Sequence, residues 1–189
     1  MEEICKNTVE ALKRRGFDAV YCATAEEASS AVMAEVDAVQ RVGMGGSVTM
    51  KELGVTERLN ESGKLQTRGA DCDLFLLSAN AITEDGRIVN IDGNGNRVAA
   101  SVSGPGKVVY AIGRNKIVSG GIDAAIARVK EKACPPNCIR LGKKTPCAET
   151  GKCADCDSPD RICKVTAIFD RRPTGTPTTV YVVNADLGY

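Results

Sequence analysis

The sequence predicts an α/β protein built round a mostly parallel sheet, with a cysteine-rich loop inserted near its end. Three observations carry that expectation. Short apolar runs alternate with segments of helical periodicity. The runs at 73–78, 107–113 and 178–184 are apolar on nearly consecutive positions, as strands covered on both faces must be. Residues 134–165, by contrast, lack clean periodicity and are dense in Cys, Pro, Gly and Lys.

Taken in order, residues 2–15 set Ile4, Val9 and Leu12 among charges, with Gly16 as a stop, and read as a helix. "DAVYCA" (18–23) reads as a strand. Thr24 then caps a helix over 25–36, whose first turn carries Glu26 and Glu27 at its positive end. "AVQRVG" (38–43) is the next strand and runs into "GMGGSVT". A short helix from about Ser47 and another over 56–61 follow, then "KLQTR" (64–68) and the strand "DLFLLS" (73–78). Asp85-Gly86 marks a turn between two short strand-like runs. A Gly/Asn-rich loop leads into a small-residue helix, and "KVVYAIG" (107–113) is a further core strand. Residues 121–133 form a helix that Pro135-Pro136 ends, and "TTVYVVN" (178–184) returns to the sheet. The whole of 1–189 reads as one domain with the insert at 134–165.

Composition excludes several function classes. Apolar residues at 43% and charged residues at 26% suit a soluble globular chain, and a net charge of +1 offers no footprint for nucleic acid or an acidic membrane. No apolar run approaches the ~18 residues of a span, and the start lacks a signal-peptide pattern, so a cytoplasmic, reducing location is expected. There is no histidine. That removes Ser-His-Asp and Cys-His catalysis, His-ligated zinc and proximal-His haem.

Two polar stretches are candidate ligand sites. Gly43, Gly45, Gly46, Ser47 and Thr49 sit where a strand hands over to a helix, the place where open α/β sheets bind ligands. Glycines let backbone N–H groups approach an anion, and Ser47 and Thr49 add hydroxyls. The spacing is neither a dinucleotide fingerprint nor a P-loop, and Ser47 as a plain N-cap explains it equally well. The second stretch runs from Asn80 to Arg97. Glu84-Asp85-Gly86 fits an exposed turn there, whereas Asn80, Asp92, Asn96 and Arg97 stand nearer the strands and suit a cleft. Arg114 and Lys116 follow a strand and offer cations at the same sheet edge. A small anionic metabolite is the ligand these groups imply.

Cysteine use points elsewhere. Cys5, Cys22 and Cys72 stand alone in helix or strand patterns and read as small core residues. Cys147, Cys153, Cys156 and Cys163 fall within 147–163, where an even scatter of nine cysteines would put fewer than one. In a reducing compartment such clusters bind metal or do redox chemistry more often than they form disulfides. Four thiolates suit an iron–sulfur cluster or a closed zinc tetrahedron. A zinc ribbon would show two C-x-x-C pairs and here there is one, which favours a 4Fe-4S cluster. Zinc and a metal-free, oxidant-sensing thiol set remain alternatives, and Cys134 and Cys138 are further ligand candidates.

The stretches "SANAITEDGRIVNIDGNGNRVAA", "VGMGGSVT", "GRNKIV", "CADCDSPDRIC" and "NADLGY" together resemble the LUD family of lactate utilization proteins over nearly the whole chain. The resemblance implies a three-layer fold of the NagB/ribose-phosphate isomerase/CoA-transferase-like type. It also implies a redox accessory or oxidoreductase role with lactate or a similar organic acid, alongside iron–sulfur and flavin partners, and leaves room for a homo-oligomer. "ANAITEDGRIVN" is similar to a motif of sugar-phosphate isomerases that has an acid where this chain has Asn80. An amide cannot accept a proton at neutral pH, which argues against isomerase chemistry. A non-redox transferase- or isomerase-like protein that binds a small metabolite and holds a structural zinc is the competing expectation.

Overall fold

Strands covered on both sides form the centre of the molecule. A computed structural model describes residues 1–67 and 71–189, so Arg68, the end of "KLQTR", lies outside the described residues. Six strands pair in parallel: β1 (Asp18–Cys22), β2 (Val42–Met44), β3 (Leu65–Thr67), β4 (Leu74–Leu77), β7 (Lys107–Gly113) and β10 (Thr178–Val183). Their order is β1-β10-β7-β4-β2-β3. A second, four-stranded sheet is ordered β8 (Ile117–Val118), β5 (Ala81–Thr83), β6 (Ile88–Asp92), β9 (Val165–Phe169), with β5 and β6 as the antiparallel hairpin about Asp85-Gly86.

Alternation along each strand splits the core in two. Phe75 and Leu77, Val108 and Tyr110, and Val180 and Val182 face α1 (Glu2–Arg14), α5 (Asn96–Val102) and the small sheet. Their neighbours Leu74 and Leu76, Val109 and Ala111, and Tyr181 and Val183 face α2 (Ala25–Asp37), α3 (Val48–Glu52) and α4 (Val55–Glu61). Helices on both faces of a mostly parallel sheet make a three-layer α/β architecture. Each fully buried side chain of this size contributes roughly 1.5–3 kcal/mol, so consecutive apolar positions are required on both faces. Cys5, Cys22 and Cys72 are all buried in these two cores.

The outer face of the small sheet carries a third core. Ala81, Val89 and Ile91 pack on Ala125 of α6 (Gly121–Arg128), on Val129 and Ala133 of the π-helical turn Val129–Ala133, and on Cys134, which follows it. Here the structure departs from expectation. Pro135 and Pro136 do not end the helix; they occupy the first turn of α7 (Cys134–Arg140), where a missing N–H costs nothing. A further short helix, α8 (Pro146–Thr150), also begins on a proline. Strand β2 is shorter than "AVQRVG", because Ala38 closes α2 and Arg41 turns out to pair with Asp71 and Asp73. β8 and β9 were not expected: one has two residues, and the other exposes Val165 and Ile168 at the sheet edge.

Candidate functional site

Two groups of side chains, both touching the end of β6, make up the site. The first lies at the C-terminal ends of the central strands. Gly43 and Met44 end β2 and are buried, while Gly46 is exposed. Ser47 caps α3, its hydroxyl accepting from Met50 N–H at 3.2 Å. Thr49, two residues on, is buried and faces Lys116.

Lys116 is the electrostatic anomaly of the molecule. It is 4% exposed, and its amine donates to Thr49 Oγ1 at 2.8 Å and Ser78 Oγ at 3.0 Å. Among the described residues no carboxylate stands within ion-pair distance of it. Burial first, then the nearby Arg128 and Arg97 guanidinia, push its pKa down to about 7, with Glu52 opposing weakly. Arg128, in the last turn of α6, is a second cation that forms no ion pair among the described residues. Its guanidinium donates to the carbonyl oxygens of Asn80 (2.8 Å) and Asn115 (3.0 Å), and burial lowers its pKa.

Arg97, by contrast, is matched. Its guanidinium pairs with Asp92 at 2.7 Å and also donates to Asn80 Oδ1 and to the carbonyls of Ser78 and Ile91. Asp92 Oδ2 accepts from Val98 N–H at 2.8 Å, so the same carboxylate caps α5, of which Asn96 is the first residue. Asn80 Oδ1 additionally accepts from Ile91 N–H, which ties the hairpin to the site. Gly45 allows the stem of Arg97 to lie against the chain: a Cβ there would sit 2.8 Å from Arg97 Cγ.

The second group is the thiol cluster. Cys134, Cys138, Cys147, Cys153, Cys156 and Cys163 all line one cavity of about 10 Å³, together with Thr145, Arg161 and Ile162. Cys134, Cys138 and Cys147 form its buried wall, and Cys153, Cys156 and Cys163 its half-buried one. The sulfurs of Cys138 and Cys147 are 3.7 Å apart, and Thr145 Oγ1 is 3.3 Å from the latter. Burial, then the neighbouring thiols, pushes Cys134 up to about 12. Among the described residues no three Cys, Asp or Glu side chains converge closely enough to form a finished single-ion site. Arg161 braces the loop by donating to the carbonyls of Cys156 and Cys163.

The two groups are joined. Lys164 N–H donates to Asp92 O at 2.9 Å, and Gly93 lies so close to Ile162 that a Cβ would be 3.2 Å from its carbonyl oxygen. Asp92 therefore holds the cysteine segment by its backbone and Arg97 by its carboxylate. Of the residues singled out in the sequence, Thr49, Asn80, Asp92, Arg97 and Lys116 are linked by hydrogen bonds through Ser78. Gly45 packs on Arg97, Gly43 and Ser47 shape the β2–α3 turn, and Gly46 faces open space. Sequence reading missed Arg128, Ser78 and Asn115. Ser78 carried a signal, as the first polar residue after an apolar parallel strand. Arg128 carried none, since a basic residue in a last helical turn is ordinary.

A family model for the LUD domain matches residues 5–183. Among solved structures, the chain is similar to a DUF162 family protein from Deinococcus radiodurans, with 14% identity, 96% of each chain covered and a TM-score of 0.59. Among curated proteins no sequence match is found. No helix among the described residues is long and apolar enough to cross a membrane.

Proposed function

Because the chain belongs to the LUD domain family, that of lactate utilization, we propose that it is a redox accessory or oxidoreductase component for lactate or a similar small organic acid. The observation that carries this reading is the gathering of all six insert cysteines on one cavity, hydrogen-bonded through Lys164 to the residue that orients the polar site. Apolar burial accounts for Cys134, Cys138 and Cys147 but not for Cys153, Cys156 and Cys163, which gather at the same cavity while half-exposed.

The donor set fits an iron–sulfur cluster: it is all sulfur, in a chain without histidine, beside the positive charge of Arg161. Cys147, Cys153, Cys156 and Cys163 would hold a 4Fe-4S cluster, with Cys134 and Cys138 on the inner wall. A cluster bound there would supply one-electron transfer, and an iron–sulfur or flavin protein would be the partner. The acid would bind at the other group. Lys116 and Arg128 are buried or half-buried cations with no carboxylate in ion-pair contact among the described residues, and a carboxylate ligand would relieve the cost of that arrangement. Arg97, Asn80 and Thr49 would position it.

One observation favours a second reading. A zinc tetrahedron with bonds of ~2.3 Å has sulfur–sulfur edges of roughly 3.8 Å, and Cys138 and Cys147 stand 3.7 Å apart. A non-redox metabolite-binding protein with structural zinc would follow. Anaerobic purification with iron, zinc and sulfide assays separates the two. Iron with sulfide and a visible band that bleaches with dithionite supports the redox reading; colourless protein with one zinc overturns it.

A further inference from the structure

We propose that Lys116 is a nucleophilic amine that condenses reversibly with a small 2-oxo acid, the ketone counterpart of the 2-hydroxy acids read above as ligands. The inference rests on that reading of the polar site and adds a covalent step to it.

Three features place the amine for such chemistry. Lys116 Nζ is fixed by two neutral hydroxyls, Thr49 Oγ1 and Ser78 Oγ, rather than by an acid that would hold it protonated. A buried amine beside other cations is the usual way a lysine becomes a nucleophile, and the fall of its pKa to about 7 leaves a large neutral fraction at neutral pH. Arg128, whose partners among the described residues are carbonyl oxygens, suits the carboxylate of the same ligand.

The step balances without a co-reactant. The amine lone pair attacks C2 of the keto acid and a C–N bond forms. The C–O bond then breaks, and the oxygen leaves as water with the two amine protons, giving an imine with no change of oxidation state. Ser78 and Thr49 stand where hydroxyls can relay those protons. Gly188 lies over the amine: a Cβ there would be 3.2 Å from Lys116 Nζ and 2.6 Å from Thr49 Oγ1. Gly188 is held by Glu52, which accepts from its N–H at 2.6 Å, and by Asn115, which donates to its carbonyl at 3.0 Å. Residues 187–189 must therefore swing aside to admit the ligand.

The test treats the full chain with pyruvate and cyanoborohydride and maps the modified peptide by mass spectrometry. A single reduced adduct on Lys116, suppressed by excess L-lactate, is expected. Lys116→Arg should lose it, and Ser78→Ala should slow its formation at least about ten-fold while pyruvate still binds. Adducts scattered over exposed lysines and indifferent to lactate would overturn the proposal. Calorimetric binding of pyruvate without any Lys116 adduct overturns the covalent step but leaves the acid site standing. No binding of pyruvate or lactate overturns both.

Discussion

Asp92 and Arg97 form a buried ion pair, 2.7 Å between guanidinium and carboxylate, with Asp92 only 6% exposed. The pair lies between the cysteine segment and the polar site, since Asp92 also accepts from Val98 N–H and, through its backbone, from Lys164. Removing the carboxylate strands a buried guanidinium and uncaps α5. Asp92→Ala should cost about 3–5 kcal/mol in urea unfolding; a loss below about 1 kcal/mol would mean that the pair is solvated.

Gly45 is required by contact, not by backbone angle. A methyl group there meets Cγ and Cδ of Arg97 at 2.8 and 2.9 Å, and Arg97 is held too firmly by its partners to yield. Gly45→Ala should destabilise by about 1–3 kcal/mol and weaken lactate or pyruvate binding. Gly46→Ala, which meets open space, serves as the neutral control.

Lys116 gives the protein a pH signature. Its folded pKa, about 7, lies below its ordinary value of 10.5, with Arg128, Arg97 and Glu52 as the charged groups acting on it. Between those values the unfolded chain binds more protons, so this residue's contribution to stability rises with pH through 7 and levels off near 10.5. The slope approaches about 1.4 kcal/mol per pH unit. The difference in stability between wild type and Lys116→Met, followed from pH 6 to 9 by denaturant melts, should show that slope. Over the same range affinity for L-lactate, which cannot condense with the amine, should fall because the amine loses its charge; a flat profile would count against the assignment.

The cysteines should react in two classes. In reduced, metal-free protein Cys153, Cys156 and Cys163, which are half-buried, should be alkylated by iodoacetamide before Cys5, Cys22 and Cys72, which are buried in the cores. Reconstitution with iron and sulfide should protect Cys153, Cys156 and Cys163, together with Cys147, and leave the reactivity of Cys5, Cys22 and Cys72 unchanged. Equal labelling with and without reconstitution would rule out their service as ligands.

Much of the fold was legible because strands covered on both faces must be continuously apolar, and "DLFLLS", "KVVYAIG" and "TTVYVVN" are. The Thr24 cap was equally readable: its hydroxyl accepts from Glu27 N–H as the spacing requires. Pro135-Pro136 misled because proline both stops a helix and starts one, and only the packing of Cys134 and Ala133 on the small sheet decides which. The edge strand β9 was hidden because half of its side chains face solvent, which leaves no two-faced apolar signal.

Read residue by residue, the chain already specified an α/β protein with a mostly parallel, buried sheet, the core role of Cys5, Cys22 and Cys72, and the inventory of groups available for chemistry: many thiols, no imidazole. Local periodicity and composition suffice for these. Only the tertiary structure brings six thiols to one cavity, lets Asp92 neutralise Arg97, and leaves Lys116 and Arg128 with no acid in ion-pair contact among the described residues. Charge balance depends on which side chains meet across 5 to 67 positions of chain, and no local pattern encodes those meetings.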